Sequence, residues 1–377
     1  MIRGVRASVL DTMGLPAPYA DSRPLRTAEL DLDPPGPGEL LVRVGAAGLC
    51  HSDLSVIEGR RPRPVPMVLG HEAAGEVVET GPGAEREFAA GDRVVLSFVP
   101  ACGGCPPCLA GRPALCEPGA RANGAGALLG GGRRWRGADG ERPAHHLGVS
   151  AFAEHIVVSA RSAVKVDADL PFDVAALFGC AVLTGAGAVL HSARVEPGER
   201  VAVFGLGGVG LAALMAARAA GAAVLVAVDL VDAKRATALR LGATHEVPGG
   251  EDAVAAVREL TSGGADKVID TTGSEHVLAQ AYQATRPGGT TVTVGLPPAD
   301  RMLSIPALGL VAEERTLRGS YLGSCVPRRD VPRFVAMYRA GLLPVPELIS
   351  GRIGLDELNT GFDRLAGGAA VRQVVVL

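Results

Sequence analysis

The run Glu199-Arg-Val-Ala-Val-Phe204-Gly205-Leu-Gly207-Gly208-Val209-Gly210 decides the fold. Glu199–Phe204 has the continuous apolar character of a strand buried on both faces, and 211–220 has a helical pattern. Between them the glycines divide the work. Gly205 permits a tight turn, Gly207 lets a pyrophosphate approach the backbone, and Gly210 allows the helix to pack close to the sheet. Gly208 and Val209 complete the loop, and phosphates then meet free N–H groups at a helix N-terminus. A second strand, 223–228, ends at Asp229, at the spacing expected of a carboxylate that binds ribose hydroxyls. Its charge repels a 2′-phosphate, which points to NAD over NADP. Lys234 is placed to add a contact to the adenosine ribose.

Further out, helices at 233–241 and 252–261 alternate with strands near 246–247, 267–270 and 290–295. Strand alternating with helix predicts a doubly wound parallel sheet. Residues 1–180 instead read as mostly β, with short runs such as 40–44, 74–78 and 93–97 separated by Gly/Pro turns. The expected domains are 1–181, 182–324 and a return to the first domain over 325–377. A chain of 377 residues suits two domains, and 47% apolar content fills two cores. With only 3% aromatic residues, those cores are built from Ala, Val and Leu.

A net charge of −3 argues against an electrostatic grip on nucleic acid or membrane phosphates. The lysines are Lys165, Lys234 and Lys267, so arginine supplies nearly all positive charge. The N-terminus reads as a first strand and not as a secretory signal. The most apolar stretch, 201–229, is broken by glycines and Arg218, which argues against a membrane span. A cytoplasmic setting is expected.

Cysteines mark two further sites. Cys102, Cys105, Cys108 and Cys116 lie in one Gly/Pro-rich lobe, 100–117, with spacing that suits a tetrahedral, closed, structural Zn²⁺. A pair of disulfides is the alternative, disfavoured in a reducing compartment. Cys50, His71 and Cys180 form a Cys₂His set that leaves a fourth zinc position open. Spacing alone does not group these three.

In their order and spacing, Gly70-His71-Glu72-x-x-Gly75-x₅-Gly81, the four-cysteine lobe and Gly205–Gly210 resemble the zinc-containing medium-chain alcohol dehydrogenases over essentially the whole chain. That resemblance implies a mostly β, GroES-like catalytic domain plus a Rossmann domain. It implies two Zn²⁺ per chain, NAD, a small alcohol or aldehyde as substrate, and a homodimer, since 117–150 looks like the longer loop of dimeric members. It places the catalytic-zinc ligands on Cys50, His71 and Cys180, with Glu72 able to exchange in. Asp53 matches the residue that orients the ligand histidine. Ser52 matches the hydroxyl that hydrogen-bonds the alcohol, and His51 a basic group near the pyrophosphate. Thr184, Val209 and Val294 match coenzyme contacts, and Arg372 a coenzyme-phosphate contact. Phe98, His146, Leu147, Leu296 and Tyr321 fall where relatives line the substrate pocket.

The chain departs from that pattern in places. Ser55 stands where many relatives carry a histidine at the outer end of a proton relay. That leaves His51, water or no relay. Arg60, Arg61 and Arg63 stand where the glutathione-dependent branch carries acidic residues, and Glu117-Pro118-Gly119 follows the last lobe cysteine. The expected activity is reversible hydride transfer between an alcohol and NAD. The rivals are a thiol-dependent formaldehyde dehydrogenase, a nicotinoprotein that retains its NAD, and a non-catalytic zinc- and dinucleotide-binding protein.

Overall fold

The computed structural model describes residues 1–368 and 370–377. It divides into two compact units. The first comprises Met1–Cys180, Val326–Pro332 and Ile349–Leu377, and the second Ala181–Cys325 and Arg333–Leu348. The sequence reading gives 325–377 to the first domain without interruption. Here 333–348 belongs to the second unit.

In the second unit six parallel strands lie in the order His245–Pro248, Val224–Asp229, Arg200–Phe204, Ala265–Asp270, Thr285–Thr293, Thr316–Gly319. This 3-2-1-4-5-6 order puts the topological switch point at the C-terminal end of Arg200–Phe204, where dinucleotides bind in such sheets. The Gly205 loop sits at that end. Gly205 has φ 88°, and a Cβ on Gly210 would stand 1.8 Å from the Gly205 carbonyl oxygen, so both positions require glycine. Helix Gly208–Ala219 follows, nearly all of it buried. Leu211, Leu214 and Met215 bury the large side chains, and alanines pack between them, as the aromatic-poor composition requires. Helix Glu275–Ala284 and strand Thr316–Gly319 complete the alternation beyond the segments read from sequence.

The first unit is built on two sheets. In the larger one, Glu39–Gly48 pairs antiparallel with Glu72–Thr80, with His155–Ser159 and with the C-terminal strand Arg372–Val376. In the smaller, Ile2–Leu10 pairs with Leu25–Leu32 and Met67–Val68. One apolar core joins the inner faces and contains the fully buried Phe152 and Trp135. Trp135 lies in the 117–150 segment and pairs across from Leu32. Arginines fasten that segment to the sheet: Arg134 Nε donates to Glu39 at 2.8 Å, and Arg136 and Arg142 both donate to Asp33 at 2.6 and 2.7 Å. Among the described residues no helix is long and apolar enough to cross a membrane.

Candidate active site and zinc centres

Strand register assembles the first cluster. Gly48 is opposite Glu72, so Cys50, two residues past the end of one strand, and His71, one residue before the start of the next, emerge at the same edge. The C-terminal strand runs antiparallel with Val374 opposite Gly48, which brings Arg372 to that edge. Gly70 makes the turn into His71: its φ is 91°, and a Cβ there would stand 2.6 Å from the Phe152 nitrogen. Cys180 follows helix Phe172–Leu177 in the same unit. The ligand atoms of Cys50, His71 and Cys180 all lie within 4.8 Å of one another, and all three residues are buried.

Asp53, in the first turn of helix His51–Ile57, is fully buried. The His71 Nδ1 atom lies 3.1 Å from the Asp53 carboxylate, which also accepts from the Gly70 N–H at 3.1 Å. That contact occupies Nδ1 and turns Nε2 toward the cluster, the arrangement that ligand imidazoles need. His146 Nε2 stands 3.3 Å from the same carboxylate, an electrostatic contact and not a well-aligned hydrogen bond. Burial alone would raise the Asp53 carboxyl, but the His71 and His146 imidazoles outweigh it and hold it at about 2. Burial also pushes the His146 ring down, against the opposing pull of the Asp53 carboxylate.

The far side of the cluster is carboxylate and guanidinium. Burial raises the Glu72 carboxyl to about 7 against the opposing pull of Arg372. Arg372, 4% exposed, donates to the Leu49 carbonyl at 2.6 Å and holds Nε 3.6 Å from Glu72 Oε1. Neither Glu72 oxygen has a hydrogen-bond partner among the described residues. Two thiols, an imidazole and an unsatisfied carboxylate buried together form a donor set that suits Zn²⁺ with an open position.

The second cluster also fits the ion. The Sγ atoms of Cys102, Cys105, Cys108 and Cys116 lie within 4.8 Å of one another. Backbone N–H groups point at them: Cys102 N–H donates to Cys116 Sγ at 3.2 Å and Cys105 N–H to Cys102 Sγ at 3.3 Å. Bonds from Gly104 and Cys105 N–H lower Cys102 to about 6, while burial pushes Cys108 up to about 12. Four sulfurs this close form a donor set that suits a tetrahedral Zn²⁺. None of the cysteines among the described residues is in a disulfide.

The comparisons with known proteins follow this geometry. Residues 36–168 match the model of the alcohol dehydrogenase GroES-like domain and 208–340 that of the zinc-binding dehydrogenases. The chain is 40% identical over 356 residues to a geraniol dehydrogenase of Castellaniella defragrans, covering 94% of each. It is 38% identical over 362 residues to the NDMA-dependent alcohol dehydrogenase of Amycolatopsis methanolica, covering 95% of this chain and 97% of that one. This chain belongs to the zinc-containing medium-chain alcohol dehydrogenase family. The crystal structure of benzyl alcohol dehydrogenase from Acinetobacter calcoaceticus superimposes with TM-score 0.90 at 31% identity over all of both chains.

The other residues expected to act in this dehydrogenase separate by unit. In the first, Ser52 is half-buried and His51 exposed at the start of their helix, and Ser55 Oγ donates to the His51 carbonyl at 2.8 Å. Phe98 meets His71 edge-on at 5.5 Å, and Leu147 is buried. His146, expected to line the substrate pocket, is 1% exposed and packs edge-on against His71 at 5.6 Å. Arg372, expected to contact coenzyme phosphate, is engaged by Leu49 and Glu72. In the second unit Thr184 is buried, Val209, Val294 and Lys234 are half-buried, and Leu296 and Tyr321 are exposed. Asp229 accepts from Leu206 N–H at 2.7 Å and Val231 N–H at 2.9 Å, which ties the glycine loop to the end of its strand.

Sequence reasoning missed Asp270-Thr-Thr272. Thr271 Oγ1 donates to the Gly205 carbonyl at 2.9 Å, and buried Asp270 accepts from Thr272 Oγ1 and Thr293 Oγ1 at 2.7 and 2.8 Å. The signal was available: polar residues at the C-terminal end of a parallel strand beside the switch point.

Proposed function

We propose that this chain is an NAD-dependent alcohol dehydrogenase with one catalytic and one structural zinc, acting on a small apolar alcohol as a cytoplasmic homodimer. What carries the reading is the buried Cys50–His71–Cys180 set, with Asp53 behind the imidazole and an unsatisfied Glu72 beside it. Zinc, when bound there, supplies a Lewis acid that favours the deprotonated form of an alcohol. NAD, when bound at the Gly205–Gly210 loop, accepts the hydride.

The chain's own residues do the rest. Asp53 fixes the tautomer and direction of His71. Arg372 keeps positive charge against Glu72 and balances a site otherwise rich in anionic ligands. Ser52, on the first turn beside Cys50, takes the proton at Oγ as hydride leaves the alcohol carbon, and passes its own outward. Asp229 accepts ribose hydroxyls with lone pairs not used by Leu206 and Val231, and its charge disfavours a 2′-phosphate. The Cys102–Cys116 set holds its lobe closed and takes no part in chemistry.

Geraniol and benzyl alcohol, named for two relatives, are both primary alcohols next to an sp² carbon. That class is the first to test. The NDMA-dependent relative favours a second reading, in which NAD stays bound and an external acceptor reoxidises it. The experiment follows NADH absorbance with geraniol and benzyl alcohol before and after zinc removal and readdition. Turnover that needs both zinc and added NAD supports the proposal. NAD that co-purifies, with turnover only when an acceptor is added, supports the second reading. Turnover unaffected by complete zinc removal overturns both.

A further inference from the structure

The parallel sheet divides at its switch point into two halves. Strands Arg200–Phe204, Val224–Asp229 and His245–Pro248 form one half, which carries the glycine loop and Asp229. Strands Ala265–Asp270, Thr285–Thr293 and Thr316–Gly319 form the other. A dinucleotide bound across the carboxyl ends of such a sheet lays one nucleotide on each half. The glycine loop and Asp229 take the pyrophosphate and the adenosine ribose, so the nicotinamide nucleotide falls to the ends of Ala265–Asp270 and Thr285–Thr293.

One buried carboxylate organises those two ends. Asp270 is the last residue of its strand and is 1% exposed. Its Oδ1 accepts from Thr272 Oγ1 at 2.7 Å and from the Thr272 N–H at 3.1 Å, and its Oδ2 accepts from Thr293 Oγ1 at 2.8 Å. Thr293 ends the neighbouring strand and lies opposite Asp270 in the register. The Asp270 carbonyl also accepts from the Val294 N–H at 2.9 Å. Side chain and backbone of one residue thus fix the ends of two adjacent strands. The loops beyond them have little slack: Gly273 has φ 72°, and a Cβ on Gly295 would stand 2.1 Å from the Gly273 nitrogen.

Strand pairing does not call for an acid at position 270. An apolar β-branched residue would fill a buried strand end without the cost of a desolvated charge. Burial raises the Asp270 carboxyl above its usual range, against the pull of the Thr272 and Thr293 bonds. Its partners lie further out, with Thr293 half-buried and Thr272 exposed. Both hydroxyls donate their proton to Asp270, so what they can offer a ligand is lone pairs. The Ser274 N–H takes one lone pair of Thr272 at 3.2 Å. Acceptors fixed in this way suit the O–H donors of a ribose and the N–H donors of a carboxamide.

We propose, resting on the reading that NAD binds at this switch point, that Asp270 is a positioning residue for the nicotinamide half of the coenzyme, acting through Thr272 and Thr293.

The test is calorimetric titration of the zinc-loaded full chain with NADH and with AMP, which carries the adenosine half alone. Asp270→Asn keeps the shape and one acceptor oxygen but cannot accept from both hydroxyls. It is expected to weaken NADH binding about 10-fold and to leave AMP binding within about 2-fold of the wild type. Thr293→Val removes the partner hydroxyl, keeps a β-branched strand residue, and is expected to weaken NADH and spare AMP in the same way. It decides the matter if Asp270→Asn does not fold. If NAD co-purifies with the chain, the retained fraction reads the same effect, and both variants should lose coenzyme that the wild type keeps. Unchanged NADH binding or retention in the variants overturns the proposal. NADH and AMP weakened alike also overturn it, because that pattern marks a general loosening of the unit. A wild-type chain that binds no NADH overturns the coenzyme reading itself, and the role of Asp270 with it.

Discussion

His145 is expected to make the 117–150 segment acid-labile, and the size of the effect follows from its surroundings. The ring is fully buried, with Trp135 6.2 Å away and the Arg134 N–H donating to Nε2 at 3.0 Å. Burial, reinforced by Arg133 and Arg134, lowers its pKa to about 3. The unfolded chain titrates that group near ~6.5. Between these two values the unfolded state binds the proton and the folded state does not. Stability is therefore fully present above pH ~6.5 and is lost as pH falls toward ~3. Well inside that window the slope approaches about 1.4 kcal/mol per pH unit, with a ceiling of about 5 kcal/mol across it. His145→Gln keeps an acceptor for the Arg134 N–H but takes up no proton. Urea unfolding of both proteins at matched pH values from ~7 to ~4.5 isolates this one group, since all other titrations are shared. The wild type should lose more than the variant, by about 2.5 kcal/mol over that range. Parallel stability curves would refute the reasoning, because they require His145 to charge within the folded state.

Three other outcomes are expected. Cys105→Ala should lose one zinc and several kcal/mol of stability in metal analysis and thermal melting, because a structural zinc's binding free energy is folding free energy. Asp229→Ala should raise the NADP:NAD ratio of kcat/KM on the order of 10-fold by removing a close like-charge repulsion, and steady-state kinetics with both coenzymes read it directly. Arg372→Met should cost about 1–3 kcal/mol in denaturant unfolding, because it leaves the buried Leu49 carbonyl without the Arg372 donor and lets the Glu72 carboxyl rise further and protonate.

The parallel sheet was legible because its determinants are local. A turn glycine, a packing glycine and a carboxylate at the next strand end are tied by chain geometry to fixed spacings, and Gly205, Gly210 and Asp229 keep them. Strand Thr285–Thr293 was only half legible. The sequence reading starts it near 290, yet the strand begins at Thr285 and takes in Arg286-Pro-Gly-Gly289, with a register shift between Ala265 and Lys267 on its neighbour. The zinc centres differ in the same way. The lobe cysteines are neighbours in sequence and declare themselves. Cys50 and His71 are brought together by strand register and Cys180 joins them from the end of a helix, which single-chain spacing does not encode, so only the family resemblance grouped them. Least legible were His146 and Arg372. Each sits beside the cluster through contacts with Asp53 or Glu72 that depend on the loop after 117 and on the C-terminal strand closing the sheet.

The most direct measurement is zinc content together with NADH formation from a primary alcohol, for wild type and His71→Ala. The account predicts two zincs and turnover for the wild type. For the variant it predicts one zinc, retained in the cysteine lobe, and turnover reduced at least ~10³-fold, in keeping with the loss of metal-assisted proton release. A variant that keeps two zincs, or that turns over like the wild type with one, would contradict the assignment of the active site to Cys50, His71 and Cys180.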